Sequence, residues 1–215
     1  MQSTVMKDKT VPASREINVC IANTAEEIQK AMEFCGRKYE EAYGSRWKNA
    51  PDILFVAYEN HEIVATLGLE LGKNHREFGA ERYFMLTPRM RAFLDTHRYT
   101  MGELGRFSSI RREAARAVFH AAITYALESG LEFLVAWANP GVYNHLASYH
   151  GIPFWVVDVP VNAAGVENDM EWTTPPRGFF FREEPPKLLL SIAAFWDLVN
   201  KKLAGEHRGE IILLR

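Results

Sequence analysis

The segment from Met101 to Asn139 constrains the fold more than any other stretch of this chain. It reads MGELGRFSSI, then RREAARAVFHAAITYALESG, then LEFLVAWAN. The first piece is strand-like and ends in polar residues. The second has helical spacing, with Ala117, Val118, Ala121, Ala122, Tyr125 and Ala126 near one face. Gly130 stops that helix, and the apolar run Leu131 to Trp137 follows as a buried strand. Strand, helix and strand with short links form a βαβ unit, so the two strands are expected to be parallel with a right-handed crossover.

Other elements line up around this unit. Ile17 to Ile21 alternates like a strand, and Thr24-Ala-Glu-Glu27 is a capping box opening a helix from Ala25 to about Tyr43. Ile28, Met32, Phe34, Cys35 and Tyr39 give that helix its apolar stripe. Ile53 to Tyr58 and Glu62 to Leu71 read as a hairpin about Glu59-Asn60-His61. Lys73 to Glu81 is a polar loop, Glu81 to Leu86 a further strand, and Thr87-Pro88 caps a short helix to about Thr96. Beyond Asn139-Pro140-Gly141 come a helix over Val142 to His150 and a strand over Ile152 to Val161, bounded by Pro153 and Pro160. Asn162 to Arg177 reads as a polar loop and Gly178 to Phe181 as a short strand. Pro185-Pro186 starts a helix to about Leu203, and Glu210 to Leu214 pairs as a last strand. A front hairpin, a central parallel unit and helices on both faces make an α+β fold with a mixed α/β sheet. Residues 1–15 are expected to be a flexible tail and residues 16–215 a single domain.

A net charge of −2 gives no reason to expect nucleic acid as a partner. Cys20 and Cys35 make neither a metal spacing nor a disulfide framework, which fits a reduced, cytoplasmic setting. MQSTVMKDKT lacks the apolar core of a signal peptide, and the apolar window Leu188 to Val199 is too short to span a bilayer. His120 and His145 are spaced like neither metal ligands nor a catalytic triad, so no metal is expected.

The start of the central helix is chemically unusual. Ser108 or Ser109 is a good N-cap, yet the first turn carries Arg111 and Arg112 against a lone Glu113. Cations at the positive end of a helix cost roughly a few tenths of a kcal/mol each. A phosphate or pyrophosphate using both the N–H groups and the guanidiniums would offset that cost. Alternatively, the arginines splay into solvent or pair with Glu113 or Glu103.

Glu103-Leu-Gly-Arg106-Phe107 resembles the Glu-x-x-Arg-Phe strand of the acyl-homoserine-lactone (autoinducer) synthases, and Arg82-Tyr-Phe-Met-Leu-Thr87-Pro looks like the segment that precedes it there. Arg112-Glu-Ala-Ala115-Arg-Ala117 is similar to the pyrophosphate loop of the GNAT acyltransferases, with Ala in place of its first Gly. Asn144-His-Leu-Ala147-Ser-Tyr149-His-Gly151-Ile resembles their helix-to-strand motif, its Tyr and Gly falling about two residues early. These matches cover roughly residues 80 to 160, with a looser likeness back to residue 17.

The resemblance implies a GNAT-like fold in which Gly102–Ser108 and Leu131–Trp137 part to hold a phosphopantetheine thioester. On that pattern the donor would meet Arg106, Phe107, Ser108, Ser109, Arg111, Arg112, Arg116, Trp137 and Asn139. Backbone N–H groups around Phe107 to Ser109 would form the oxyanion site. Glu103 is the expected base or amine-orienting group, the alternative being a pair with Arg106. Tyr149 stands as thiol acid or as a packing ring. Arg37 and Trp47, beside Arg46, resemble residues that close over the acceptor, and Trp47 read structurally is a packing anchor.

Two departures refine the expectation. Autoinducer synthases carry paired aspartates and an Arg where this chain has Asp52 alone and Leu67-Gly-Leu-Glu70, which argues against S-adenosylmethionine and for an amino acid or similar amine acceptor, as in the N-acyl amino acid synthases. The altered Gly loop favours acyl carrier protein over free acetyl-CoA, with Arg111, Arg112 and Arg116 as a basic surface for an acidic carrier. The expectation is therefore transfer of a medium or long acyl chain from acyl carrier protein or acyl-CoA to an amine. Neither a tightly bound cofactor nor a covalent enzyme intermediate is expected. The alternatives are an acetyl-CoA-dependent N-acetyltransferase and a membrane-active or non-catalytic protein like the thermostable hemolysins, with Leu188–Val199 as a helix in peripheral contact with lipid.

Overall fold

The computed structural model describes residues 16–150, 153–195 and 213–214. A mixed sheet runs in the order β6-β7-β5-β4-β3-β2-β1-β8. Its strands are β1 (Ile17–Ile21), β2 (Ile53–Glu59), β3 (Glu62–Leu71), β4 (Met101–Ser109), β5 (Phe133–Ala138), β6 (Trp155–Val157), β7 (Lys187–Ile192) and β8 (Leu213–Leu214). Strands β4 and β5 are parallel, as the βαβ reading requires, and β1 to β4 form an antiparallel meander.

Helix α4 (Arg112–Glu128) makes the crossover and lays its alanine-rich face on β1 to β4, burying Ala114, Val118, Ala121 and Ala122. Small side chains let the helix approach the sheet closely, and Phe119 and Ile123 fill the remaining space. The opposite face is covered by α1 (Ala25–Tyr43), α2 (Gly79–Tyr83), α3 (Pro88–His97) and α7 (Arg177–Phe180). Thr24 and Glu27 form the expected capping box, and Gly44 closes α1 in the left-handed conformation at φ +72°. This second face carries a cluster of rings, with Trp172 4.0 Å from Trp47 and Phe180 4.8 Å from Tyr83, centroid to centroid.

Several elements differ from the sequence reading, each for a packing reason. Gly178 to Phe181 is not a strand: consecutive residues of a strand face opposite ways, whereas the helical turn α7 buries both Phe179 and Phe180 in the ring cluster. Leu188 to Ile192 is not helical. It is the interior strand β7 between β5 and β6, with Leu188 in the ring cluster and Leu189 in the core under α4. The expected lipid-facing helix therefore loses its first five residues, residues 193–195 are helical, and residues 196–199 lie outside the described residues. Among the described residues no helix is long and apolar enough to cross a membrane.

The first half of Glu81 to Leu86 ends the helix α2, in which the buried Glu81 accepts from Phe78 N–H at 2.8 Å and pairs with Arg98 at 2.7 Å. Only Phe84 bridges, to Val161. The strand expected over Ile152 to Val161 shrinks to Trp155–Val157 between its prolines, and the polar loop after it contains α6 (Ala163–Glu167). Gly165 sits so close to α2 that a Cβ there would lie 1.9 Å from the Arg82 carbonyl oxygen. Gly165→Ala is expected to cost about 1–3 kcal/mol, seen as a lower urea midpoint. A wild-type midpoint would contradict this packing.

Candidate active site

The ladder between β4 and β5 pairs Met101↔Phe133, Gly102↔Leu134, Glu103↔Val135 and Leu104↔Ala136, and there it ends although both strands continue. The cause lies on the other edge of β4. Thr66 pairs with Ser108 and Gly68 with Gly105, so two residues, Arg106 and Phe107, stand opposite Leu67 alone. Such a bulge bends and twists its strand. Arg106 takes the strained conformation at φ +51°. Its carbonyl is fixed by Thr66 Oγ1 at 3.2 Å and the Cys35 thiol at 3.3 Å.

The opening beyond Leu104 and Ala136 holds a largely apolar cleft of about 240 Å³. It passes through the sheet: Tyr43 and Phe179 line it from one side, Phe119 and Leu146 from the other. Gly105, Phe107, Ser108, Ser109, Trp137 and Asn139 form its waist. The Asn139 side-chain N–H donates to the Tyr43 hydroxyl at 3.0 Å, while its Oδ1 is buried without a hydrogen-bond partner.

A second cavity of about 160 Å³ opens on the α1/α2 face, and Gly105 and Trp137 line both. Its wall carries Glu103, Glu70, Arg106, Arg82, His75 and Glu171, backed by Trp47 and Tyr83. The Glu103 carboxylate, 5 % exposed, accepts three hydrogen bonds: Gly79 N–H at 2.7 Å, Ala80 N–H at 2.7 Å and the Trp137 indole N–H at 2.9 Å. Burial raises its pKa most, and the Glu70 carboxylate adds to this; the three donors oppose them, and the balance stands at about 8. A carboxylate poised there can take a proton from an ammonium group near neutral pH. Of its four lone-pair positions one, on Oε2, is left open by these partners.

Glu103 does not pair with Arg106. The bulge sends the guanidinium to Glu70 at 2.6 Å and the Asn49 carbonyl at 3.0 Å, with its carbon 4.4 Å above the Trp47 ring. Trp47 thus reaches the polar cavity, whereas Arg37 is exposed on α1 and lines neither cavity. Neither Ser108 nor Ser109 caps α4. The strand runs through both, Ser108 turns inward toward the Cys35 sulfur at 3.6 Å, and Arg111 occupies the N-cap with no side-chain cap bond. Arg111 pairs with Glu59 of β2 at 3.0 Å rather than with Glu113 or Glu103. Arg112 is exposed on the first turn and Arg116 half-buried on the second. The side chains of His145 and Tyr149 lie outside the described residues.

Sequence reasoning missed Glu70, His75 with its 2.9 Å contact to Asp52, and the Gly79 and Ala80 amides that hold Glu103. Only Glu70 left a signal, as a charge inside the apolar run of β3.

Residues 21–173 match the model of the thermostable hemolysin family. No curated protein sequence matches the chain. Among solved structures, FeeM, an N-acyl amino acid synthase from uncultured soil microbes, aligns with a TM-score of 0.58 at 14% identity, over 86% of this chain and 95% of that one. The acyl-homoserine-lactone synthase LasI aligns with a TM-score of 0.54 at 12% identity, over 94% and 99%. BjaI, a CoA-dependent acyl-homoserine lactone synthase solved with SAM and isopentyl-CoA, gives 0.55 at 11% identity, over 93% and 95%. These likenesses establish that the chain has the mixed α/β fold of these synthases.

Proposed function

The chain belongs to the thermostable hemolysin family, and from its fold and two neighbouring cavities that share Gly105 and Trp137 we propose that it is an N-acyltransferase. It moves an acyl chain from a phosphopantetheine thioester, on acyl carrier protein or coenzyme A, to the amine of an amino acid or similar small acceptor. One observation carries this reading: the β4–β5 ladder stops at Leu104↔Ala136, and the cleft beyond it shares Gly105 and Trp137 with the wall of the Glu103 cavity.

Parted strands leave backbone N–H and C=O groups without ladder partners, and the amides of a pantetheine arm supply the missing bonds. An arm amide N–H also satisfies the buried Asn139 Oδ1. The phosphate end reaches the first turn of α4, whose N–H groups have no side-chain cap and beside which Arg111 and Arg112 stand. The acyl chain lies among Phe107, Phe119, Leu146 and Phe154, a wall that suits a medium or long chain better than acetyl.

The acceptor enters as an ammonium ion and gives one proton to Glu103. Its lone pair attacks the thioester carbonyl carbon, and the oxyanion is held by N–H groups between Phe107 and Ser109. The C–N bond forms and the C–S bond breaks. The second amine proton goes to the departing thiolate, and Glu103 releases its proton to solvent. No covalent enzyme intermediate is needed.

The membrane-active alternative loses support because Leu188–Ile192, the first five residues of its lipid-facing helix, lie in an interior strand. The test is thiol release from acetyl to long-chain thioesters of coenzyme A and acyl carrier protein, with a pool of amino acids and amines, followed by mass spectrometry of the products. An amide product formed from a medium- or long-chain donor is expected. Release no faster than without enzyme for every donor and acceptor would overturn the reading.

A further inference from the structure

Glu70 lies directly opposite Glu103 in the antiparallel ladder between β3 and β4, so both side chains stand on the same face of the sheet. Both open onto the polar cavity. Like charges facing one another across a strand pair are destabilising, and burial amplifies the cost. The fold retains this pair and clamps its outer member with Arg106, a guanidinium only 3 % exposed that bonds Glu70 at 2.6 Å. No packing need explains Glu70, because a neutral side chain there would remove the repulsion.

We propose that Glu70 is a positioning residue acting through Glu103, the two carboxylates handling the acceptor's proton as one pair, with Arg106 anchoring the outer member. This rests on the acyl-transfer reading above. Glu70's charge adds to burial in keeping a proton attractive to Glu103, against the pull of its three donors. The other charged or titratable groups facing the cavity are His75 from the loop after β3, Arg82 and Tyr83 of α2, and Glu171. Arg82 is engaged by Asp169 at 2.7 Å, His75 by Asp52 at 2.9 Å and the Glu171 carboxylate by the Asn49 side-chain N–H at 3.0 Å, while Glu70 is the carboxylate directly opposite Glu103 on the neighbouring strand.

The test compares wild type, Glu70→Gln and Glu70→Asp by carbon NMR titration of ¹³C-labelled glutamate carboxyls, with Glu103→Gln used to assign the Glu103 signal. In Glu70→Gln the Glu103 midpoint is expected to fall by about one pH unit or more, tenfold in proton affinity. The acidic limb of kcat/KM is expected to move down with it. Glu70→Asp, which keeps the charge, is expected to stay within about half that shift and to recover most of the rate. An unmoved Glu103 midpoint in folded Glu70→Gln overturns the proposal. If Glu70→Gln does not fold, Glu70→Ala decides: it also removes the charge, so the Glu103 midpoint must fall likewise, and an unmoved midpoint overturns the pairing. The titration needs no turnover, so a wild-type protein inactive with every donor sinks the transferase reading while the midpoint still judges the pair.

Discussion

Glu103→Gln is expected to lower acyl transfer by about 100- to 10,000-fold, the usual worth of a positioned proton acceptor. The amide can still accept from Ala80 N–H and the Trp137 indole, but its NH₂ then faces Gly79 N–H, donor against donor. That conflict costs about 1–3 kcal/mol of stability, so far-UV circular dichroism and a melting curve accompany the rate measurement. The wild-type pH profile supplies an independent check. Glu103 must be unprotonated to act, so kcat/KM is expected to rise through about pH 8 and level off above it. The stability consequence has the opposite sense. A carboxyl whose folded-state pKa is raised stabilises the fold fully below the ordinary carboxylate range, and that contribution is lost as pH climbs toward about 8. Unfolding free energy is therefore expected to fall across this window, and Glu103→Gln to flatten the fall. A Glu103→Gln enzyme with wild-type turnover would remove Glu103 from the chemistry.

Gly105→Leu is the second large effect, expected to cost about 100-fold or more in turnover with little change in stability. A Cβ on Gly105 meets nothing within 4 Å, and its φ lies outside the left-handed region, so the backbone tolerates a side chain. Yet Gly105 is one of two residues shared by the cleft and the polar cavity. An isobutyl group there stands where thioester and amine would meet. The comparison with Gly102→Ala separates blockage from strain: a Cβ on Gly102 lies 2.6 Å from Leu69 Cδ1, so that change is expected to lower stability rather than to close the cleft. Unchanged turnover in folded Gly105→Leu would mean that the two cavities do not serve one reaction.

Much of the scaffold was legible because periodicity changes sharply along the chain. The alanine-rich helix, the apolar strand after Gly130 and the Thr24/Glu27 capping box carry their signals within a few residues. Leu188–Ile192 did not, because a short, mainly apolar run is compatible with an interior strand or a buried helix, and only its partners β5 and β6 decide. The bulge was equally hidden: its positive-φ residue is Arg106 rather than a glycine, so nothing local marks the turn away from β5. Glu103 was found from its Glu-x-x-Arg-Phe context, but its true partners come from three separate places, the start of α2, β3 and β5. In a regular strand Arg106, three residues on, would face away from Glu103; the bulge brings it to the face of Glu103, where it takes Glu70 instead.

The most direct measurement is amide hydrogen exchange with and without a non-hydrolysable acyl-pantetheine thioether. The residues whose ladder is missing, 105–109 of β4 and 137–139 at the end of β5, are expected to slow on binding, together with the first turn of α4. Binding that leaves those amides unchanged, or that protects a surface away from the cleft, would contradict a donor seated between the parted strands.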